Sequence, residues 1–387
     1  ELLLNWYLGA YCTQKLDHLQ PPLADILRIG AYQILFLDKV PDHAAVSESV
    51  ELCRTNGRAA ASGLVNAVLR KVAQNKGSLP ALPQDTLSRL SIAYSHPQWL
   101  VERLLTLLGA EETAQFLRID NEAAPMTAQV NPLKTNADAL MRELSGEGIA
   151  AVPHEWVPDC LELSGTGDLT TLAAFYQGRF TVQDAAAKLV TCAAGFQKGQ
   201  RVLDVCAAPG GKSFAAAFVM ENEGHILSCD LHENKLKRIR EGAQRLGITC
   251  IETACADGRV FRPEWAGQFD VVICDVPCSG LGIIRKKPDI RYKSPDELTA
   301  LPEIQRAILS NSARYVKAGG VLVYSTCTIL PDENEQVTDA FLLAHPSFAY
   351  EDFTLPNGDT AGHFTLWPQR SGTDGFYLSR MRRSLHD

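Results

Sequence analysis

The chain has 387 residues, 46% hydrophobic and 21% charged, an ordinary globular composition long enough for two or three domains with their own cores. With 37 basic against 45 acidic residues the net charge is −8, so a nucleic-acid partner must be met by local patches and not by the surface as a whole. No apolar stretch approaches the roughly 20 residues of a membrane span, and no export signal opens the chain, which predicts a cytoplasmic protein without a membrane partner. It begins at Glu1 inside an apolar pattern, so further residues are expected upstream. Eleven cysteines include no C-x-x-C pair, so neither a metal site nor disulfides are expected, and most read as small buried hydrophobes.

Residues 1–78 read as helices only. Leu23, Ile26, Leu27, Ala31, Ile34 and Leu35 keep helical spacing until Pro41, and Asp42 can cap a helix carrying Val46, Val50 and Cys53. A third helix carries Leu64, Val65, Val68, Leu69 and Val72 and closes at Asn75 and Gly77, before a proline-marked linker at 79–83. The segments HAAVSESVELCR (43–54) and SGLVNAVLRKV (62–72) resemble the NusB family of helical RNA-binding domains. Residues 84–178 mix a helix at 97–108, a strand at 127–131, a helix at 136–144 and strand character at 149–163, which predicts a small α/β domain. From 179 to 387 short apolar strands at 202–205, 226–229, 251–254, 271–274 and 321–324 alternate with helices. This α/β pattern predicts a doubly wound, Rossmann-like domain.

The first of these strands runs into Cys206-Ala207-Ala208-Pro209-Gly210-Gly211-Lys212-Ser213, a glycine-rich turn that brings backbone close to a ligand at a helix start. A Walker A loop would need glycine at position 206, and the G-x-G-x-x-G dinucleotide fingerprint is absent. S-adenosylmethionine, which needs no pyrophosphate cradle, remains. Asp230 at the end of the next strand suits ribose hydroxyls, and Asp257 or its neighbouring amides, after the third, suits an adenine amine. Cys278 follows the fourth strand and Cys327 the fifth, so both should face one cleft at the carboxyl ends of the strands.

Together CAAPGGK (206–212), DVPCSGLG (275–282), RKKPDIR (285–291) and STCT (325–328) resemble the NOL1/NOP2/sun family of RNA cytosine-C5 methyltransferases. Val276 departs from the alanine often found there. The resemblance implies Cys327 as nucleophile toward cytosine C6, Cys278 as the residue that assists elimination, and Asp275 with the Pro277 carbonyl as holders of the base. The helical N-terminal domain points to the branch acting on 16S rRNA, as a monomer, on an unpaired or extruded cytosine. Arg285, Lys286, Lys287 and Arg291 are expected to meet RNA phosphates. Further clusters lie at Lys235, Lys237, Arg238 and Arg240, and at Arg380, Arg382 and Arg383. Rival readings are a tRNA cytosine methyltransferase, a non-catalytic RNA-binding assembly factor, and a nucleotide hydrolase using Gly211-Lys212-Ser213.

Overall fold

The structure, a computed structural model, describes residues 1–385. The chain divides into two compact units, 1–121 and 122–387. The first unit is helical: α1 (Leu2–Tyr11), α2 (Pro21–Phe36), α3 (Asp42–Thr55), α4 (Ser62–Gln74), α5 (Thr86–Tyr94) and α6 (Gln98–Ile119). Proline at the start of α2 removes only an N–H that would be unpaired there, and Leu23, Ile26, Leu27, Ala31 and Ile34 then form its buried stripe. They meet Val65, Val68, Leu69 and Val72 of α4, each such side chain contributing about 1.5–3 kcal/mol when fully buried. In α6 the helix is interrupted at Gly109, whose φ of 74° and ψ of 177° only glycine adopts readily, and it then resumes. That break explains the expected end at 108. The compact first unit also takes in α5 and α6.

The second unit opens with β1 (Met126–Val130), α7 (Ala137–Gly146), β2 (Ala150–Pro153), β3 (Cys160–Ser164), α8 (Ala173–Tyr176) and β4 (Phe180–Val182). The strands pair antiparallel in the order β2-β3-β1-β4, the βαββαβ ferredoxin-like arrangement. The short helices α9 (Ala185–Lys188) and α10 (Val190–Ala194) lead into a larger sheet. It contains β5 (Arg201–Asp204), α11 (Gly211–Val219), β6 (His225–Asp230), α12 (Glu233–Leu246), β7 (Ile251–Cys255), β8 (Phe269–Asp275), α13 (Pro295–Leu298), α14 (Leu301–Ala313), β9 (Val316–Thr326) and α15 (Glu335–Ala344). The chain closes with β10 (Phe348–Tyr350), a hairpin of β11 (Phe353–Thr354) and β12 (Thr360–Ala361), β13 (His363–Leu366), α16 (Pro368–Ser371) and β14 (Phe376–Arg383).

The large sheet runs β10-β14-β9-β8-β5-β6-β7, with β13 also on β14. Strands β5 to β9 are parallel and covered on both faces, which is why they read as unbroken apolar runs. Strand β14 is antiparallel to β9, so the sheet is mixed at an edge for which no strand was anticipated. The chain leaves β5 toward β6 on one side and returns to β8 on the other. This is the reversal point of strand order at which open α/β sheets bind ligands. The two sheets of this unit are tied directly: Asn131 donates to the Leu246 carbonyl and Lys134 to that of Arg245, each at 2.8–2.9 Å. No helix among the described residues is long and apolar enough to cross a membrane.

Candidate active site

Register sets the chemistry at the reversal point. Asp275, last in β8, pairs with Ser325 of β9, so the loops that continue from both strands emerge side by side. Ser325 Oγ donates to Asp275 Oδ1 at 2.7 Å, and Lys212, one residue into α11, donates to Oδ2 at 2.6 Å. The two loops then bring Cys278 Sγ within 3.3 Å of Cys327 Sγ. Both sulfurs, with Asp230, Asp257 and Asp275, line one cleft of about 470 Å³. Its apolar walls are Leu231, Val276, Ile304 and Ile308. The last two come from α14 and were not singled out in the sequence, where they look like ordinary core positions.

Two identical thiols receive opposite treatment here. The hydrogen bond from Cys278 lowers the proton affinity of Cys327 against its burial, and the Lys212 and Lys287 charges act in the same direction. Cys278 moves well above the usual thiol range, through its bond to Cys327 and its burial, with the Cys327 and Glu333 charges adding. The sulfur pair therefore favours losing the Cys327 proton before that of Cys278. Lys212 is held protonated: burial opposes its charge, and Asp275 outweighs that.

The 206–212 loop is shaped from beneath. Gly210 sits at φ 115°, and a Cβ there would come within 2.5 Å of the Phe214 ring. Below the loop Asp204 is fully buried, its Oδ2 accepting from Ser213 at 2.7 Å while Ser213 accepts from Ser228. Burial raises the Asp204 carboxyl to about 7. Sequence reasoning missed this acid, although a carboxylate within an apolar strand was a visible signal. Residues 206–209, 211 and 212 also line a smaller recess of about 170 Å³ with Asp204 and Gln183. Asp230 accepts from the His232 amide at 3.0 Å and lies 3.6 Å from Lys235, both on Oδ1, which leaves Oδ2 for a ligand hydroxyl. Asp257 is different. Arg259 grips both its carboxylate oxygens at 2.7–3.2 Å, so the backbone beside it is the freer donor.

The basic run corrects the sequence expectation. Arg285 does not face solvent: its side chain is 6% exposed and bonds Asp374 at 2.9 Å. Lys286 is held at 2.6 Å from both Asp374 and Asp184. Arg291 is buried, 7% exposed. Acids 89 and 102 residues away thus claim Arg285 and Lys286, and burial takes Arg291 off the surface. Lys287 alone of the four is exposed without such a partner, and its charge reaches Cys327. The C-terminal cluster is likewise internal, Arg380 and Arg382 both pairing with Glu351. Lys235, Lys237 and Arg240 lie on the exposed side of α12.

Asp374 continues into Gly375, whose amide donates to the Gly282 carbonyl at 2.8 Å, and the Gly282 amide donates to the Cys327 carbonyl at 3.0 Å. A Cβ on Gly282 would come to 2.0 Å from the Gly375 oxygen, so the two backbones meet where no side chain fits. The buried ion cluster thereby supports the main chain of Cys327.

Three family models match the chain: the NusB family over residues 2–74, a Methyltr_RsmF/B-like ferredoxin-like domain over 96–170, and 16S rRNA methyltransferase RsmB/F over 192–382. The probable ribosomal RNA small subunit methyltransferase B of Bacillus subtilis is 38% identical, covering 99% of this chain and 87% of its own length. Its counterpart from Synechocystis is 36% identical over 94% and 84%. The crystal structure of PH0851 superposes with a TM-score of 0.82 at 29% identity, covering 98% of this chain and 86% of that one. The chain belongs to the family of ribosomal RNA small subunit methyltransferase B, enzymes that methylate rRNA.

Proposed function

We propose that this methyltransferase moves a methyl group from S-adenosylmethionine to C5 of an unpaired or extruded cytosine in 16S rRNA, through a covalent adduct between Cys327 and C6. The observation that carries the reading is the sulfur pair at 3.3 Å, with Cys327 shifted toward the thiolate and Cys278 away from it, inside a cleft that also holds Asp230 and Asp275. Bound in that cleft, S-adenosylmethionine supplies an electrophilic methyl group. The residues suit it: Asp230 offers an oxygen to a ribose, and Ile304, Ile308 and Leu231 form a slot for a flat ring.

Cytosine C5 is a weak nucleophile. Bonding of Cys327 Sγ to C6 breaks the ring conjugation and makes C5 electron-rich. The exocyclic amine donates to Asp275 and to the Pro277 carbonyl, N3 takes a proton as Sγ adds to C6 and then also donates to Asp275, and Lys212 keeps that carboxylate in place. Once C5 carries the methyl group, its proton is lost to solvent in the open cleft and the Sγ–C6 bond breaks. The departing Cys327 thiolate then accepts a hydrogen bond from the Cys278 thiol, whose sulfur lies 3.3 Å away at rest.

Labelled S-adenosylmethionine with separate rRNA and tRNA pools, followed by nucleoside analysis, tests the reading. Label in 5-methylcytidine of 16S rRNA is expected; label in tRNA alone, or in another nucleoside, overturns it. Asp230→Ala should weaken S-adenosylmethionine binding by about 1–3 kcal/mol in calorimetry through the lost ribose contact, without any requirement for magnesium.

A further inference from the structure

Behind the Pro277-Cys278-Ser279 turn lies a buried carboxylate that the reaction above does not use. Glu333, 2% exposed, sits in a short turn between β9 and α15. Its Oε2 accepts from the Ser279 amide at 2.8 Å and from the side-chain amide of Gln305 at 2.9 Å. The same Gln305 nitrogen donates its other hydrogen to the Pro277 carbonyl at 3.1 Å. Gln305 is fully buried in α14, and both Glu333 Oε1 and Gln305 Oε1 have no hydrogen-bond partner. The turn containing Glu333 is fixed in its own right, since the Tyr324 hydroxyl donates to the Glu333 carbonyl at 2.5 Å. A charged group buried with one oxygen unmet costs free energy that core packing alone does not return, and such groups gather where a site needs them.

We infer that Glu333, acting through Gln305 and Ser279, is a positioning residue that fixes the Pro277 carbonyl and the Cys278 side chain for release of the methylated base. The inference rests on the reading proposed above and extends it to a residue outside the cleft. Geometry supports the first half: one amide nitrogen spans the acid and the carbonyl that meets the cytosine amine, so the carbonyl cannot turn away unless the amide moves. Charge supports the second. Negative charge on Glu333 disfavours a second negative charge on Cys278, which therefore keeps the proton it offers to departing Cys327. In Glu333→Gln that charge is gone. The new side-chain oxygen can take the place of Oε2 and keep both bonds, with the new amide where Oε1 has no partner, so this variant removes the charge and spares the clamp.

The test uses the full chain and iodoacetamide, S-adenosylmethionine and a 16S rRNA transcript as probes. Alkylation of each cysteine is followed by mass spectrometry from pH 6 to 10, and the RNA adduct on a denaturing gel. For Glu333→Gln, S-adenosylmethionine affinity should stay within about twofold, Cys278 should alkylate about tenfold faster near pH 8, and methyl-bearing adduct should accumulate. Gln305→Met removes both bonds yet leaves the Glu333 charge, so it should accumulate adduct without the change at Cys278. Wild-type alkylation profiles and adduct levels in both variants, with cofactor binding intact, overturn the inference. Loss of cofactor binding in parallel with every other readout also overturns it, by making the clamp merely structural. Absence of any Cys327-dependent adduct in the wild type would instead overturn the reading beneath it, and the alkylation profiles would still judge Glu333.

Discussion

The two cysteine loops begin from neighbouring residues of one sheet and end with sulfurs 3.3 Å apart, yet they are built differently. The Cys278 loop is held by side chains: Glu333 and Gln305 from beneath, and Lys293 donating to the Ser279 carbonyl at 2.9 Å. The Cys327 loop is held by main chain, through the carbonyl of Cys327 itself on Gly282, and by Asn334, which accepts from Thr326 and donates to the Thr328 carbonyl. A negative charge stands behind one thiol and positive charges stand near the other. The bond between the sulfurs is the largest influence on both proton affinities and the surrounding charges act on top of it, so the difference can be broken from either side.

The largest effect should come from the sulfurs. Cys327→Ala should abolish methylation by about three orders of magnitude or more and form no covalent RNA complex, while S-adenosylmethionine binding persists. Cys278→Ala should still attack and methylate, then stall with a denaturant-resistant adduct that carries the label. The reverse pattern on a denaturing gel would exchange the two roles. Next in size is the support behind Cys327. Arg285→Ala leaves Asp374 with one of its two cations missing in a buried cluster, and should cost about 3–5 kcal/mol in denaturant unfolding with no change in the salt slope of RNA binding. A neutral result would mean the cluster does not hold the main chain of Cys327.

Lys212→Met sharpens the comparison without touching either loop. It removes a cation that lowers the proton affinity of Cys327 and leaves Asp275, which raises it. A lowered thiol keeps its thiolate, and its reactivity, down to a lower pH than an ordinary cysteine, and loses both as pH falls through that lowered value. In the variant the onset should move to higher pH, with Cys327 alkylation near pH 8 slower by about tenfold per unit of movement. An unmoved profile would leave Cys278 as the main source of the lowering. The smallest effect belongs to Lys287→Glu, which should weaken rRNA binding and reduce the slope of log affinity against log salt by about one. An unchanged slope would put the phosphate contacts elsewhere.

What the sequence shows and what it hides follow from the range of each interaction. The 206–212 turn and Asp230 were readable because strand, loop and helix are consecutive and each residue's place follows from the one before. The meeting of Cys278 and Cys327 was readable too, since parallel strands send both loops to the same end of the sheet. The basic run was misread because its charge is local while its acids are not: nothing near 285 announces Asp184 or Asp374. Glu333 was hidden for the same reason, being recognisable as more than surface charge only once α14 lays Gln305 beside it. The antiparallel strand β14 alternates weakly in sequence, and its assignment comes from its register with β9.

The contact of Gly282 with Gly375 has a consequence for the order in which the protein is made. Residues 206, 230, 275, 278 and 327 leave the ribosome well before 375, so the 206–212 loop, the acids and both sulfurs exist in the nascent chain while the support of Cys327 does not. Until Thr373, Asp374 and Gly375 arrive, Arg285 and Lys286 lack a carboxylate they share, and the Gly282 carbonyl lacks its donor. Domains fold largely as units during synthesis, and here the unit closes on almost its last strand. A chain still tethered to a ribosome would then carry both sulfurs and the strand-end acids before the main chain of Cys327 has its full support.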